Sequence, residues 1–421
     1  MDIRYQAKPE ILNEEDIIRY ASEKHEAVER AERLEGYEGS LGWIDVSRWA
    51  GEEMLKKVQE IADDIRSFAD VFAVVGIGGS NQGARAVIDA MSYRGLKGPQ
   101  IIYPALYLSA AEYKKMLKAV EGKSLAVDVI AKNFMTLEPG SVFRMLRNYM
   151  AASYKKEELP RRIITTPTVG QDALYEISLK EGYRVLPFPE DVGGRYSFFT
   201  PVGLLPAAVA GVDIRELVRG ARDAQKDFQR GGPLCRLAKR YALSRNLLYE
   251  KGYDVEVMAF FEPSLEPLGK WWRQLFGESE GKGQRGIFPT VCLYTEELHS
   301  LGQYMQEGKR HVQETFFHVK KPLADLPLDD GLGLDDGFDY LCGKTMNDMN
   351  EAAFEATLAA HCAGGIPCQV IEIDSMNEYN LGLYLYTAMR SCYYSAVMLG
   401  VNPFDQPGVE AYKTEMFKRL K

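Results

Sequence analysis

An uninterrupted apolar run, Val71 to Val75, passes straight into Gly76-Ile77-Gly78-Gly79-Ser80, and a helical pattern resumes from Ala84 to Met91. A strand with no polar position is buried on both faces, and a strand feeding a helix through a glycine turn is the unit that winds parallel sheets. Apolar runs at Ile101 to Leu108, Leu125 to Ile130 and Arg162 to Thr165, with helical stretches between them, extend this unit into a parallel α/β set. Val255 to Phe261, Thr290 to Tyr294, Thr315 to Val319 and Gln369 to Ile373 read as a second set. With 421 residues, 46% of them hydrophobic, the chain is long enough for two such lobes, each with its own core. The predicted fold class is α/β, with two domains, each a mostly parallel sheet flanked by helices.

The expected organisation is a helical arm over 1–50, a first domain over 51–200, a second over 201–375, and C-terminal helices over 376–421 that pack back across the lobes. The arm is predicted as one long polar helix from the N-cap Asn13, with Glu14, Glu15 and Asp16 at its positive end, to about Arg33. The last helices are placed at about Glu378 to Leu399 and Val409 to Arg419. Leu323 to Asp339, rich in Asp, Gly and Pro, reads as a surface excursion.

A net charge of -9 and the lack of a Lys/Arg run argue against a nucleic-acid partner. No segment has the roughly 18 uninterrupted apolar residues of a membrane span, and the N-terminus has no apolar leader, so the chain reads as cytoplasmic with no membrane partner. The longest apolar candidate, Phe198 to Val212, contains two prolines and reads as a buried loop and helix start. Six cysteines without CxxC or metal spacing suit a reducing compartment and are expected to be free thiols, mostly core filler.

After a strand, glycines let a ligand approach peptide N–H groups, and the following helix offers its positive end to an anion. Gly76-Ile77-Gly78-Gly79-Ser80 has neither GxGxxG spacing nor a GxxxxGK[ST] match, so dinucleotide and ATP sites are poorly supported. A bare structural turn and a contact to a sugar or sugar phosphate are the readings that remain.

Two further runs, Gly193-Gly194-Arg195-Tyr196-Ser197 and Phe404-Asp405-Gln406-Pro407-Gly408-Val409-Glu410-Ala411-Tyr412-Lys413, resemble the GGRYS and FDQxGVExxK motifs of the phosphoglucose isomerase family. They lie more than two hundred residues apart, and a chance double match is improbable. The glycine turn, read as GIGGSNQGARAV, resembles that family's phosphosugar-binding turn in the sugar isomerase (SIS) fold, with Gln82 where leucine is usual. The resemblance implies that Gly79 and Ser80 bind the substrate, Ser80 at its phosphate. The family's second phosphate loop, SKxxxTxE, is matched by Ala131-Lys132-Asn133-Phe134-Met135-Thr136-Leu137-Glu138. Lys132 and Thr136 carry over as substrate-binding residues, whereas the hydroxyls expected at Ala131, Asn133 and Met135 are missing. Each lost charge-assisted hydrogen bond to phosphate would be worth about 1.5–3 kcal/mol.

Gln274-Leu275-Phe276-Gly277-Glu278-Ser279-Glu280-Gly281-Lys282 resembles the family's QxxxESxGK segment, which carries the catalytic carboxylate. The resemblance assigns the base to Glu278, with Gln274 contacting substrate. One carboxylate placed over C1 and C2 of a sugar can move a proton between them through a cis-enediolate. The neighbouring Trp271 and Trp272 are expected to keep water from it. From residue chemistry alone Glu280 competes for this role; the motif leaves Glu280 as an ordinary solvated glutamate.

Arg195 suits the developing enediolate charge, because a guanidinium stays cationic and presents fixed donors, and Gly194 leaves room for substrate beside it. Ring opening needs a group that both gives and takes protons near neutrality. Among five histidines, His299 matches the family's HxxxQ stretch with Gln303; His25, His311, His318 and His361 read as surface or core. Lys413 is implied at the same end of the sugar as His299, and Gln406 as a substrate contact.

The family resemblance covers nearly the whole chain. It implies a metal-independent, cofactor-free interconversion of glucose 6-phosphate and fructose 6-phosphate, by a short bacterial form acting as a homodimer with His299 contributed across the interface. Two alternatives stand beside it: an isomerase of another sugar phosphate, such as mannose 6-phosphate, and a non-catalytic phosphosugar-binding module.

Overall fold

The structure is a computed structural model that describes every residue except Gln171, Asp330 and Lys421. Ten strands form two five-stranded sheets. Strand β1 (Asp2–Gln6) opens the chain; β2 (Val71–Val75), β3 (Gln100–Ile102), β4 (Leu125–Ala131), β5 (Ile163–Pro167) and β6 (Arg184–Val185) form the first sheet in the order β3-β2-β4-β5-β6, all parallel. The second sheet contains β7 (Val255–Phe260), β8 (Phe288–Leu293), β9 (Val312–Lys321) and β10 (Cys368–Ser375) in the order β1-β10-β9-β7-β8, parallel except for β1. Both sheets reverse their winding beside their first parallel strand. In the first lobe this puts the switch point between β2 and β4, where crevices at the carboxyl ends of parallel strands bind ligands.

Every residue of β2 and β4 is buried, as continuous apolar strands require. One face of each sheet packs into a shared core, in which Phe72, Val74 and Ala126 of the first sheet join Met258, Phe260 and Ile371 of the second. The outer faces carry separate cores, one around Val127, Phe143 and Leu146 and one around Val257, Phe316 and Phe354. The helix Glu378–Met398 is buried along almost its whole length, with Tyr384, Tyr386, Tyr393 and Tyr394 filling the shared core.

Three expectations need correction. The arm over 1–50 is not helical throughout, because Asp2–Gln6 pairs antiparallel with β10. With only Ile3 fully buried, this strand is held mainly by backbone pairing, which leaves little trace in side-chain pattern. The long arm helix is two, Glu14–Glu23 and His25–Glu32, broken at Lys24, although Asn13 does accept from the Asp16 amide as the expected cap. The strand expected over Ile101 to Leu108 stops at Ile102, because Pro104 has no N–H to donate to the ladder.

Of the excursion Leu323 to Asp339, Asp330 lies outside the described residues, and the rest is largely exposed. All six cysteines are free, five of them buried, and Cys342 exposed. Among the described residues no helix is long and apolar enough to cross a membrane.

An ionisable group sits on the central strand of the first lobe. Asp128, on β4, is fully buried, and its Oδ1 accepts from Thr166 Oγ1 at 3.1 Å. Burial pushes its carboxyl up to about 8, against the smaller opposing effect of that hydrogen bond. From the ordinary carboxylate range up to about pH 8, the folded chain therefore holds a proton that the unfolded chain has released. Stability falls as pH rises through that window, by at most about 1.4 kcal/mol per pH unit, and levels off above it. Asp128→Asn is expected to remove the slope, so that thermal melting of the variant exceeds that of the parent at about pH 8.5 and converges with it near about pH 4; parallel melting curves across this range would contradict it.

Candidate active site

The glycine turn after β2 leads into helix α1 (Gly79–Met91), and the loop after β4 leads into α2 (Leu137–Ser153). Neither helix start is closed by a side-chain cap: Gly78 and Thr136 occupy the cap positions without a capping hydrogen bond. The two helix N-termini stand either side of the switch point, and the positive end of a helix favours an anion, although in α1 the Ser80 and Asn81 amides already donate to the carbonyls of Ile77 and Gly78. Ser80 lies in the first turn of α1 and Thr136 at the cap position of α2.

The same turn is pressed against the rest of the site. Gly78 has φ of +57°, and a Cβ there would lie 2.8 Å from Gln274 Nε2. A Cβ on Gly79 would lie 2.1 Å from the carbonyl carbon of Gly194, which excludes a side chain there on steric grounds, whereas at Gly78 it is the left-handed backbone that favours glycine. Gln274 and Glu278 stand one turn apart on helix α3 (Glu266–Glu280), and Gln274 Nε2 donates to Glu278 Oε1 at 3.0 Å. The other carboxylate oxygen, Oε2, is 2.9 Å from Arg195 Nη1.

Arg195 binds all round. Its Nε donates to Ser279 Oγ at 3.0 Å; Nη1 donates to Glu278 and, at 3.2 Å, to Gln406 Oε1; Nη2 donates to the carbonyls of Pro403 at 2.7 Å and Asp405 at 3.1 Å. All five N–H groups are engaged, and the side chain is 2% exposed, against 30% for Glu278. The arginine is thus a fixed post joining the GGRYS, ESxGK and FDQ segments, while the carboxylate beside it opens to solvent. For Arg195 to meet an enediolate oxygen directly, Nη1 must release Gln406 or Glu278. Lys282 ties the same segments a second time, through Asp405 Oδ1 at 3.0 Å and the Asn402 carbonyl.

Lys132 does not point freely at the anion site. Its Nζ donates to the carbonyls of Glu190, at 2.8 Å, and Val192, at 3.0 Å, so it clamps the loop that leads into Gly193 and Arg195. Burial holds its ammonium below its ordinary range. Lys132→Met is expected to lower kcat about tenfold or more by releasing that loop, and to cost about 1–3 kcal/mol for the unpaired carbonyls. Steady-state kinetics with thermal melting checks this; a rise in KM alone would mark Lys132 as a phosphate contact.

Lys413 and His299 do not meet the Glu278 cluster through any hydrogen bond or ion pair among the described residues. Lys413, on the last helix (Pro407–Leu420), pairs with Glu410 at 2.8 Å and lines a cavity of about 140 Å³ with Asn133, Thr136 and Glu138, beside the second phosphate loop. His299 is exposed and lines an open cleft in the second lobe.

Trp271 and Trp272 do not shield Glu278. Both are buried in the core, against Tyr384 and Phe276 respectively. Glu280 is not a solvated glutamate either: it is fully buried and ion-paired with Arg245, which also holds Glu256. Burial raises the Glu280 carboxyl above its ordinary range, against the attraction of Arg245. Ser279, Lys282 and Arg245 were not singled out from the sequence; the first two lie inside the ESxGK match, and nothing in local pattern marks Arg245.

Residues 52–310 match the family model of phosphoglucose isomerase. The chain belongs to the phosphoglucose isomerase family. It is 42% identical over 391 residues to the glucose-6-phosphate isomerase of Alkaliphilus metalliredigens, covering 90% of this chain and 86% of the relative. The enzyme of the same name from Bacillus cereus is 42% identical over 388 residues, with the same coverage. Among solved structures, a hypothetical protein of Thermus thermophilus superposes with a TM-score of 0.87 at 26% identity over 99% of both chains. A glucose-6-phosphate isomerase of Chlamydia trachomatis superposes with a TM-score of 0.81 at 18% identity, over 100% of this chain and 88% of the other, a likeness of fold. In phosphoglucose isomerase terms, this chain brings four of the family's motifs into one continuous contact: the glycine turn, GGRYS, ESxGK and FDQ.

Proposed function

We infer that the protein is an aldose-ketose isomerase that interconverts glucose 6-phosphate and fructose 6-phosphate, a step of glycolysis and gluconeogenesis. The observation that carries this reading is the line of contacts from the anion-binding turn through Gln274 to Glu278 and Arg195. On this reading the phosphate lies at the turn and the carboxylate base is Glu278. The phosphate docks at the N-termini of α1 and α2, with Ser80 and Thr136. Glu278 then takes the C2 proton of the open-chain aldose and returns it to C1, through a cis-enediolate. Arg195 holds Glu278 and Gln406 in place and supplies the nearby positive charge that the enediolate requires.

Ring opening falls to His299, with Lys413 at the same end of the sugar. Because His299 is exposed and outside its own chain's cluster, the reading places it in the site of a second copy, and the working form is a homodimer. The compartment is cytoplasmic, in keeping with six free thiols. Residues 51–200 and 201–375 are proposed as the two domains. Light scattering of a fully active sample should return a dimer mass; a monomer would sink the shared site.

The function is tested by adding the protein to fructose 6-phosphate with EDTA present and following glucose 6-phosphate through a coupled dehydrogenase, with mannose 6-phosphate in parallel. Turnover of fructose 6-phosphate is expected to be much the faster. Preference for mannose 6-phosphate would move the assignment to the related isomerase.

A further inference from the structure

The cleft that holds His299 contains a second imidazole, already set in a hydrogen-bonded chain. His361, on helix α4 (Met346–Ala363), lines this space of about 520 Å³ together with His299, Gln303 and Gln306. His361 is only 3% exposed, and its Nδ1 lies 2.6 Å from Oε2 of Glu314, a residue of β9 that is itself fully buried. The other oxygen of that carboxylate accepts from Tyr294 Oη at 2.6 Å. The rings of Tyr294 and Phe316 stand 6.1 and 6.4 Å from the imidazole and fix its plane.

Burying a carboxylate under a sheet is costly unless its oxygens are paired, and here both are spent on orienting one histidine and one tyrosine. With Nδ1 committed to Glu314, Nε2 is the nitrogen left to the cleft, and it makes no hydrogen bond to protein among the described residues. A carboxylate on the far nitrogen of an imidazole fixes its tautomer, which leaves the near nitrogen set to exchange a proton.

From this arrangement we propose that Glu314 and His361 form a proton-relay dyad that acts through His299 as a positioning element for ring opening. The inference rests on the assignment of ring opening to His299. When His299 gives its proton to the ring oxygen, the proton that leaves the anomeric hydroxyl passes through a water in the cleft to the bare Nε2 of His361, which keeps its Nδ1–H bonded to Glu314 and hands the proton on to His299. On ring closure the proton returns along the same path. The proton received by the ring oxygen is matched by the one that leaves the anomeric hydroxyl, so the site neither gains nor loses protons over the cycle. Since His299 and His361 belong to one chain, the dyad accompanies His299 into whichever site that histidine serves.

The test measures ring opening apart from isomerisation. Exchange between the α and β anomers of glucose 6-phosphate is followed by two-dimensional exchange NMR for the parent protein, His361→Asn, Glu314→Gln and His299→Ala. Binding of glucitol 6-phosphate, an open-chain alcohol that never closes, is measured on the same samples, with thermal melting as the check on folding. Asparagine at 361 keeps a donor for Glu314 but has no group in place of Nε2, and glutamine at 314 keeps the shape and one accepting oxygen but removes the charge. The expected result is a loss of anomer exchange of tenfold or more in both variants, with glucitol 6-phosphate affinity within twofold of the parent. If His361→Asn exchanges anomers at the parent rate, the imidazole serves only to satisfy Glu314 and the proposal is overturned. Should that variant not fold, an undiminished rate in Glu314→Gln overturns it equally. Full exchange in His299→Ala would instead refute the ring-opening assignment on which the inference rests.

Discussion

Replacing Glu278 with glutamine is expected to lower kcat for both directions of the isomerisation by about 10²–10⁴-fold, the usual contribution of a positioned general base. Affinity for an open-chain substrate analogue should change little. The amide has the same shape, and it retains an oxygen to accept from either Gln274 or Arg195, so the contacts at 3.0 and 2.9 Å need not both be lost. What disappears is the basic oxygen. The carboxylate is also partly open to solvent, which lets its removal act on chemistry with little cost in packing. Steady-state kinetics with isothermal titration separates the two effects; a variant that turns over within tenfold of the parent would move the base elsewhere.

Replacing Arg195 with lysine is expected to cost more than catalysis. A lysine has three donors on a flexible stem where the guanidinium has five in a rigid fork, and all five are engaged here. The carbonyls of Pro403 and Asp405, Ser279 and Gln406 cannot all be served by one ammonium. The Phe404–Gln406 segment should loosen, with a drop in kcat of about 10²–10³-fold and a loss of stability of about 3–5 kcal/mol, as for a broken buried ionic network. Kinetics and denaturant unfolding read the two together. If the lysine variant lost activity at unchanged stability, the post-like role of Arg195 would be wrong and its contribution would be charge alone.

The legibility of this chain follows how local each signal is. Strand β2 is found at its observed limits, because five consecutive apolar residues ending at glycine leave no freedom in register. Strands β7 and β10 and the two C-terminal helices lie within a few residues of expectation for the same reason. The short β1 escaped, since its partner β10 is more than three hundred residues away and pairing of backbones carries no side-chain pattern.

At the site, Glu278, Gln274, Arg195, Gly194, Gly79 and Gln406 are brought together, and they were found through motif spacing rather than through chemistry. What spacing cannot carry is the direction of a side chain on its helix. Glu278 and Glu280 differ by two positions, about 200° around the helix axis, so one opens to the crevice while the other is sealed against Arg245. Trp271 and Trp272 turn into the core for the same reason. Lys132 is read as a phosphate ligand from its motif position alone, and only the fold shows its ammonium spent on two carbonyls. His361 is invisible from sequence, because Glu314 is remote in the chain and no short motif links them.

The most direct test of the account is to hold glucose 6-phosphate with the protein in deuterated water, without added metal, until aldose and ketose have equilibrated over many turnovers, and to read the C2 hydrogen by NMR and mass spectrometry. Proton transfer by Glu278 through an enediolate predicts that deuterium accumulates at C2 of glucose 6-phosphate and C1 of fructose 6-phosphate, and that Glu278→Gln stops both the exchange and the isomerisation. Full equilibration of the two sugars with no deuterium at either carbon would mean that hydrogen moves without meeting an exchangeable base, and would contradict the account.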